Sequence, residues 1–531
     1  MILVRDIRLP LSAGEEQARA QALHLLRLPQ SKVRQMGVAR LSVDARHGRP
    51  KLVYTIAVTL KDEGEEPAYA GALPCVALRQ EAQLVLTPGA QTLKTRPVVC
   101  GLGPAGLFAA LALAQQGFAP IVLERGPALE DRVRAVEHFS ATGELDENAN
   151  IQFGEGGAGT FSDGKLTTRI GDPLCDYVTR VFLAHGAPAE IAWQQKPHVG
   201  TDLLRGVITS IRKEIEALGG EVRFNTALTG LHTRNGVLTG IDTTAGPLPC
   251  EALVLAVGHS ARDTFEALMD GGLTFACKPF SVGFRAEHLQ SEIEKSLYHD
   301  AAGHPALPRG EYQLSQQVNG RGVYTFCMCP GGQVVAAASE SGRVVTNGMS
   351  FHARAGRNAN AAVVAGVGPA DFGDDPRRAI AFQRELEARA YAAGRAGGPY
   401  AAPAENVVSF LEGRGELKIT RVQPTYNRGV VPADLGSLLP AELTGALRAG
   451  LRAFDRKLAG YTAPEAILTG LETRTSSPVR LVRGETYECT QLAGLYPCGE
   501  GAGYAGGIMS AAVDGLRVAS ALVSRYHPAG D

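Results

Sequence analysis

Residues 98–125 read VVCGLGPAGLFAALALAQQGFAPIVLER, and the architecture of the chain follows from this segment. The apolar residues 97–100 predict a buried strand, and residues 104–116 predict a helix. A second apolar run at residues 119–123 predicts another strand. A strand, a helix and a strand in this order form a βαβ unit, so the sequence predicts a Rossmann-like, doubly wound α/β domain here.

Three glycines join the first predicted strand to the helix with the spacing GxGxxG. Gly101 permits the tight turn, Gly103 lets the backbone approach a pyrophosphate, and Gly106 lets helix and strand pack closely. Pro104 and Ala105 open the helix, whose N-terminus offers unpaired N–H groups and a positive dipole end to phosphates. The turn therefore predicts a dinucleotide site.

Glu124, at the end of the second predicted strand, lies 18 residues beyond Gly106. At this place a carboxylate accepts hydrogen bonds from ribose hydroxyls and would repel a 2′-phosphate. A lone GxGxxG is a weak indication, since glycine turns between strands and helices are common. The strand before it, the helix after it and the acid favour a dinucleotide site over a glycine turn without a ligand.

The composition is that of a globular protein with 45% hydrophobic and 20% charged residues, and 531 residues suffice for two to four domains. A net charge of −1 implies no polyanionic partner overall. Nine cysteines in so long a chain favour reduced thiols over a disulfide framework, and the sequence gives no reason to expect a metal ion. Because no segment resembles a signal peptide or a membrane span, we expect a cytoplasmic protein without a membrane partner.

The order of the predicted elements indicates three domains. Residues 1–95 predict a small α+β domain, with a hairpin turn at residues 47–48 and a strand at residues 82–86. Residues 96–270 and 485–531 form the dinucleotide-binding domain, in which a β-meander precedes an apolar strand at residues 252–257. Residues 271–484, with a strand at residues 312–314, form an inserted mixed α+β domain that we expect to cover the substrate.

Positive residues in the N-terminal segment allow two interpretations. One is a surface for nucleic acid. The other, which we favour, is a solvated face, because nearby glutamates offset the charge and no aromatic residues interleave for base stacking. The residues concerned are Lys32, Arg34, Arg40, Arg46, Arg49 and Lys51.

Two further glycine-rich segments suggest contacts with a ligand. Residues 151–169, IQFGEGGAGTFSDGKLTTR, contain five glycines, which favours close approach of the backbone to a flat or charged group. Gly258 follows the apolar strand at residues 252–257, and ligands of doubly wound sheets lie beyond the carboxyl ends of strands. Residues 498–510, CGEGAGYAGGIMS, form the second glycine-rich loop and precede a predicted helix at residues 508–524.

These features together resemble the FAD-binding architecture of the glutathione-reductase-type flavoproteins. More closely, the chain resembles the uncharacterised FAD-dependent dehydrogenases of bacteria. The strings that carry this resemblance are LSVDAR (41–46), QFGEGGAGTFSDGKLTTR (152–169), FSVGFRAEH (280–288), GVYTFCMCPGG (322–332) and VVTNGMSFHAR (344–354).

The resemblance implies FAD as the cofactor, with its adenylate end at the βαβ unit and its ring at the last helix. It implies hydride transfer to or from flavin N5, with a small-molecule substrate held under the inserted domain. The cofactor-binding residues that it implies are Gly101, Gly103, Pro104, Ala105, Gly106, Glu124, Arg125, Arg132, Gly156, Gly157, Ala158, Gly159, Ser162, Gly258, Gly499, Glu500, Gly506, Gly507 and Ile508.

The electron partner stays open. A second strand–GxGxxG–helix unit is absent from the sequence, so no dedicated NAD(P)H domain is expected. NADH or NADPH would visit the substrate face, or electrons would come from the substrate or a carrier protein. Alternatives to an enzyme of this class are an RNA-modifying flavoprotein that uses the N-terminal domain and a non-catalytic flavin sensor.

Three residues are candidates for catalysis. Arg285 and His352 are candidates for binding an anionic substrate or moving protons, His352 being the better proton donor because it lies in a polar turn. Tyr504 lies between glycines expected at the flavin. Each has a structural alternative, as a side chain satisfied within the fold.

Cys327 and Cys329 form a CxC motif with two interpretations. They are either a redox pair that relays electrons to the flavin or small apolar residues of a strand. We favour the second interpretation, because alternate residues of a regular strand share a face but bridge awkwardly.

Overall fold

The computed structural model describes residues 1–46, 48–80 and 83–528, and it has a mixed α/β fold, as predicted. The N-terminal segment forms a four-stranded antiparallel sheet in the order β2-β3-β1-β4. Its elements are β1 (Ile2–Pro10), α1 (Glu15–Leu26), β2 (Val33–Asp44), β3 (Lys51–Leu60) and β4 (Val76–Leu78). Strand β3 buries alternate residues against α1, which is the period of a strand with one covered face.

Two predictions for this segment need comment. His47 of the expected hairpin turn and Ala82 of the expected strand at residues 82–86 lie outside the described residues. Residues 83–86 form no strand, so that expectation was wrong for the described part of the segment. A short apolar run gives too little pattern to tell a strand from an extended connection.

The middle of the chain forms the parallel sheet that the βαβ unit predicts. The helices and strands between residues 91 and 270 are β5 (Gln91–Thr92), β6 (Val98–Cys100), α2 (Pro104–Gln115), β7 (Ile121–Leu123), α3 (Leu129–Thr142), α4 (Leu174–Ala184), α5 (Thr201–Ala217), β8 (Glu221–Arg223), β9 (Leu228–Arg234), β10 (Val237–Thr243), β11 (Gly246–Pro249), β12 (Leu253–Leu255) and α6 (Arg262–Asp270). Strands β9, β10 and β11 form the expected antiparallel meander.

The last part of the chain contains the largest sheet. The helices and strands between residues 275 and 527 are β13 (Phe275–Cys277), β14 (Phe280–Leu289), α7 (Gln290–Tyr298), β15 (Ser315–Val318), β16 (Arg321–Cys329), β17 (Gln333–Ala336), β18 (Thr346–Met349), β19 (Asn358–Val367), α8 (Pro369–Phe372), α9 (Pro376–Gly394), β20 (Ala402–Asn406), α10 (Val407–Glu412), β21 (Val430–Pro432), α11 (Ala441–Lys457), β22 (Ile467–Glu472), β23 (Val479–Leu481), β24 (Leu495–Pro497), α12 (Ile508–Arg525) and β25 (Tyr526–His527).

Short 3-10 helices complete the chain. They span Gln30–Lys32, Glu63–Tyr69, Ala158–Phe161, Ala189–Ala192, His299–Ala301, Arg395–Gly397 and Leu435–Leu438. The strand expected at residues 312–314 was wrong, because the strand there begins at Ser315.

The five-stranded parallel sheet has the order β24-β12-β6-β7-β8, so its first strand comes from the end of the chain. Alternate residues of these strands point to opposite faces. Val99, Val122 and Val254 pack with helices α2, α5 and α12, whereas Cys100 and Leu255 pack with the meander. Helices, sheet and meander therefore form three layers.

The seven-stranded sheet has the order β15-β16-β19-β14-β22-β20-β21 and is antiparallel except between β20 and β21. All ten residues of β14 are buried, which fits a central strand covered on both faces. Within residues 1–46, 48–80 and 83–528, no helix combines the length and apolar character that a membrane span requires.

Candidate functional site

A continuous cavity of about 1930 Å³ opens beyond the carboxyl ends of β6, β7 and β12. Gly101, Glu124 and Gly258, which follow these strands, all line it. The cavity continues past the N-terminus of α12 to the large sheet and to the N-terminal segment. The crevice therefore lies where ligands of doubly wound sheets bind.

Most of the predicted cofactor residues meet at this cavity, although they come from distant parts of the chain. Those that line it are Gly101, Gly103, Pro104, Ala105, Glu124, Arg125, Gly157, Ala158, Gly159, Ser162, Gly258, Glu500, Gly506, Gly507 and Ile508. Gly106, Arg132, Gly156 and Gly499 are not among the lining residues, and each has a role behind the wall.

The first glycine turn is shaped by close packing. A Cβ atom at Gly106 would lie 1.8 Å from the carbonyl oxygen of Gly101, so only glycine lets α2 approach β6 this closely. Gly101 itself has a φ of +100°, in the region that favours glycine. At Gly103 the nearest atom to an added Cβ is the Cα of Gly157, at 3.8 Å. The N-cap residue Gly103 has no side chain that could cap α2. The first N–H groups of the helix are therefore available to a phosphate.

Glu124 holds together the end of the cavity beside the first glycine turn. Its Oε2 accepts from the backbone N–H of Leu102 at 2.9 Å, and its Oε1 accepts from Gly126 at 3.0 Å and Gly154 at 3.1 Å. A carboxylate has about four lone-pair positions, so these three bonds leave capacity for a sugar hydroxyl. The residues present thus fit the ribose of a dinucleotide.

Arg132 lies behind the glycine-rich loop rather than on the cavity wall. Its fully buried guanidinium donates to the carbonyl groups of Asn150, Ile151, Gly154, Glu155 and Gly157 at 2.6–3.2 Å. Burial lowers the pKa of Arg132 to about 9, against the opposing charges of Glu124 and Glu155.

The resemblance implied that Arg132 binds the cofactor, and the structure gives it another place. Because the side chain engages so many loop carbonyls, it fixes the loop that carries Gly157, Ala158 and Gly159. Gly156 belongs to the same loop, with a φ of +83° and no room for a Cβ beside Thr160 Oγ1 at 2.2 Å.

Another part of the cavity wall is formed by the start of α12. A Cβ atom at Gly506 or Gly507 would meet nothing within 4 Å, so the backbone faces open space there. The N-cap residue Gly507 has no side chain that could cap the helix. Ile508 faces the other loop, since a Cβ at Gly159 would lie 3.1 Å from its side chain. The start of α12 therefore contacts the glycine loop through Ile508, and its backbone is open to the cavity at Gly506 and Gly507.

The loop before α12 contributes a carboxyl group with a shifted pKa. Glu500 lines the cavity, and burial raises its pKa from 4.5 to about 7, although Lys278 acts in the opposite direction. The neighbouring Gly499 donates its N–H to Asp514 at 2.7 Å, and its Cβ would meet Ala105 at 2.6 Å. Gly499 therefore ties the loop to α12 and α2.

His352 does not line the cavity. Its Nε2 lies 3.0 Å from Glu190, its Nδ1 lies 3.1 Å from the carbonyl oxygen of Val199, and its ring stacks on His198 at 5.2 Å. Both ring nitrogens thus have partners within the fold, which corrects the expectation of a proton donor facing substrate.

Tyr504 does not line the cavity either. Its hydroxyl accepts from the Arg483 N–H at 3.0 Å and donates to the Leu481 carbonyl at 3.2 Å. The Arg483 guanidinium lies 3.8 Å from the centre of its ring. The structural alternative to a catalytic tyrosine accounts for these contacts.

Arg285 is fully buried in the large sheet, one layer behind the cavity. It makes a two-pronged ion pair with Glu472, with distances of 3.0 and 2.7 Å. Its NH1 group also donates to the carbonyl oxygen of Cys327 at 2.9 Å and to Asn360 at 3.0 Å. Arg285 therefore positions Cys327, which does line the cavity, and does not itself reach a substrate there.

Arg125 lines the same end of the cavity as Glu124. Its guanidinium lies 4.3 Å from the centre of the Phe153 ring and donates to Asp263 at 2.8 Å. Ser162 also lines the cavity and donates to the Gly159 carbonyl at 2.7 Å, so it braces the glycine loop.

The sequence analysis did not identify most of the wall opposite the cofactor groove. Lys165, Glu311 and Tyr312 line this part of the cavity, and Lys165 lies 3.3 Å from Glu311. Met1, Arg40 and Arg79 of the N-terminal segment line it as well. Lys165 belongs to the glycine-rich segment 151–169 that the sequence singles out, whereas nothing local marks the other residues, because they come together only when separate segments pack.

The N-terminal segment is hydrogen-bonded to the rest of the chain beside this part of the cavity. The Leu41 N–H donates to the Trp193 carbonyl at 2.8 Å, and the Gln195 N–H donates to the Leu41 carbonyl at 3.0 Å. Within the predicted basic group, Lys32 pairs with Glu65 and Arg46 pairs with Asp44, both at 2.8 Å. These pairs support the solvated-face interpretation over a nucleic-acid surface.

Comparison with known proteins defines the class. Residues 279–475 match the family model described as "FAD-dependent protein, C-terminal domain-like", and residues 1–59 match a domain of unknown function, DUF8436. A protein of Clostridium beijerinckii, described as uncharacterized, is 50% identical over 441 residues, which cover 82% of each chain. The chain belongs to the family of that protein, and its cofactor is FAD.

Solved structures show weaker likeness. The FAD complex of CtdE is 11% identical, with a TM-score of 0.30 over 80% of this chain and 82% of that chain. An L-amino acid deaminase from Proteus vulgaris is 11% identical, with a TM-score of 0.31 over 84% of this chain and 98% of that chain. Scores this low carry no inference about substrate.

Proposed function

We propose that the protein is an FAD-dependent oxidoreductase of the glutathione-reductase type that transfers a hydride between flavin N5 and a small-molecule substrate. The observation that carries this proposal is the single cavity that joins the dinucleotide groove to a second compartment under the large sheet. When bound, FAD supplies hydride acceptance and donation, and the chain supplies position, charge and exclusion of water.

The groove provides a place for each part of FAD. Glu124 would accept from the ribose, and the N-terminus of α2 at Gly103 would hold the pyrophosphate. The open part of the cavity beside Gly506 and Gly507 would hold the flavin ring. There, the N-terminus of α12 would present N–H groups and a positive dipole end, which would stabilise negative charge on a reduced ring.

The second compartment would hold the substrate. On its wall, Lys165 forms ion pairs with Asp163 and Glu311, and the buried Arg354 pairs with the same two carboxylates from behind, so the wall carries fixed charges of both signs. Such prearranged charges orient a polar substrate without reorganising during the reaction. Glu500, with a pKa of about 7, is suited to hold or release a proton near neutral pH.

We also propose the division into domains expected from the sequence, with residues 1–95, residues 96–270 with 485–531, and residues 271–484 as the three units. The four-stranded, five-stranded and seven-stranded sheets support it, since each is built within one unit. Strands β13 and β23 pair near the two ends of the inserted unit, where the chain enters and leaves it.

Anaerobic mixing tests the proposed function. We expect the purified protein to be yellow, to release FAD on denaturation, and to lose its absorbance near about 450 nm when a hydride donor is added. NADH and then NADPH are mixed first. The sequence predicts no dedicated site for either, so this step shows whether a nicotinamide is the donor. A protein that binds FAD but whose flavin cannot be reduced even by dithionite would contradict the proposal.

A further inference from the structure

Cys327 and Cys329 lie in a distorted part of β16. The pairing of β16 with β19 shifts between Phe326, opposite Ala362, and Cys329, opposite Asn360. Two residues of β16 thus face one residue of β19, which is a β-bulge. Cys327 has a φ of +44°, the left-handed region that residues other than glycine seldom adopt.

The bulge brings the two thiols together. In a regular strand, alternate residues are about 6.6 Å apart, beyond the Cβ separation of about 4.5 Å that a disulfide tolerates. Here the Cys329 thiol lies 3.4 Å from the Cys327 carbonyl oxygen, and the two side chains share a hydrogen bond. The geometric objection to a redox pair at this CxC therefore does not hold.

The two sulfurs differ in access. Cys327 lines the cavity, whereas Cys329 is fully buried behind it. The hydrogen bond from Cys329 lowers the pKa of the Cys327 thiol to about 7, and the charges of Arg285 and Lys165 act in the same direction. The pKa of Cys329 is raised, first by the same hydrogen bond and then by burial. This asymmetry is that of an attacking thiol and a resolving thiol.

We propose that Cys327 and Cys329 form a redox-active dithiol that exchanges two electrons with FAD and, through Cys327, with a thiol or disulfide compound that enters the cavity. This inference rests on the proposed function, since it needs FAD in the groove. It extends that function by naming a substrate class and a relay.

The electron count is balanced. An incoming dithiol exchanges with the Cys327–Cys329 disulfide and leaves as a disulfide, and both cysteines become thiols. The two S–H bonds then break, a sulfur–sulfur bond forms, and two electrons and one proton pass to FAD, while the other proton passes to water. The reverse sequence reduces an incoming disulfide. No further oxidant or reductant is required.

Cys175 offers a matched control. It also lines the cavity and is partly exposed, but among the described residues no second cysteine acts on its thiol, and burial raises the pKa of that thiol. It has the access of Cys327 without the bulge, the partner or the lowered pKa.

Anaerobic reductive titration of the FAD-loaded full-length enzyme tests the proposal. After mild oxidation with diamide, we expect the wild type to take up four electrons per FAD from dithionite, two for the flavin and two for the disulfide. C327S and C329S should take up two, and C175S should match the wild type. Uptake of two electrons by every variant would overturn the dithiol, whereas a flavin that takes up none would overturn the proposed function.

Thiol counting needs no variant and guards against misfolding of C329S. The oxidised wild type, denatured and alkylated, should contain two fewer alkylated cysteines than the reduced protein, both within the peptide that carries Cys327 and Cys329. Dithiothreitol should also bleach the flavin at least about tenfold faster in the wild type than in C327S. An unchanged thiol count, or loss at other cysteines, would contradict the pair.

Discussion

At the scale of single residues, the loops around the dinucleotide are held by two buried charges. Glu124 accepts hydrogen bonds from three backbone N–H groups, and Arg132 donates hydrogen bonds to five carbonyl groups of the neighbouring loop. The position of Glu124 followed from the spacing after Gly106. The position of Arg132 did not, because a side chain that binds backbone carbonyls leaves no pattern in the sequence.

Glu124→Gln should weaken FAD binding by about tenfold to a hundredfold. The amide cannot accept from all three N–H groups, and each charge-assisted hydrogen bond contributes about 1.5–3 kcal/mol. Titration of the apoprotein with FAD, followed by flavin fluorescence, measures the change. Glu130→Gln, at an exposed position in the first turn of α3, is the control and should leave the affinity unaltered. Equal affinities for the two variants would place the ribose elsewhere.

Glu500 should make stability depend on pH in a defined direction. Burial raises its pKa in the folded state from 4.5 to about 7, so the folded state binds the proton more tightly than the unfolded state. Stability is therefore lost as the pH rises from about 4.5 to about 7, by on the order of 1–2 kcal/mol at this cavity-lining position. Thermal unfolding of wild type and Glu500→Gln across that range measures it. Parallel pH curves for the two proteins would show that Glu500 ionises normally.

At the scale of elements, the sequence predicted the parts that depend on local patterns and missed those that depend on neighbours. The βαβ unit, the meander and α12 were predictable, because glycine turns and apolar runs mark them. The bulge in β16 was not, since no glycine marks the positive φ of Cys327. The places of His352 and Tyr504 were not predictable either, because a polar turn or a glycine-rich loop does not show which way a side chain points.

Gly106→Ala should strongly destabilise the protein, by about 2–4 kcal/mol. The added Cβ would lie 1.8 Å from the carbonyl oxygen of Gly101, and the backbone there is fixed by the packing of α2 on β6. Gly206→Ala is the matched control, since Gly206 is an exposed position inside α5 with nothing within 4 Å of an added Cβ. That change should raise stability by about 0.5–1 kcal/mol. Thermal unfolding compares them, and similar melting temperatures would contradict the close approach.

At the scale of the whole molecule, one cavity is assembled from all three proposed domains. The dinucleotide groove contributes Glu124 and Ile508, the large sheet contributes Cys327, and the N-terminal segment contributes Met1 and Arg40. The N-terminal segment therefore forms part of the wall of this cavity. Sequence patterns could not reveal this, because docking between segments depends on pairs of surfaces rather than on periodicity within either one.

Gln195→Pro should open this wall without releasing the cofactor. Proline removes the N–H that donates to the Leu41 carbonyl at 3.0 Å, and so weakens the junction between β2 and the rest of the chain. We expect alkylation of Cys327 to become a few-fold faster while FAD affinity stays unchanged, since the change removes none of the hydrogen bonds of Glu124. Gln195→Ala keeps the N–H and loses only the side-chain bond with Arg40, so it should alkylate at nearly the wild-type rate. Equal rates for both variants would mean that the N-terminal segment does not limit access, and that substrate enters from another side of the cavity.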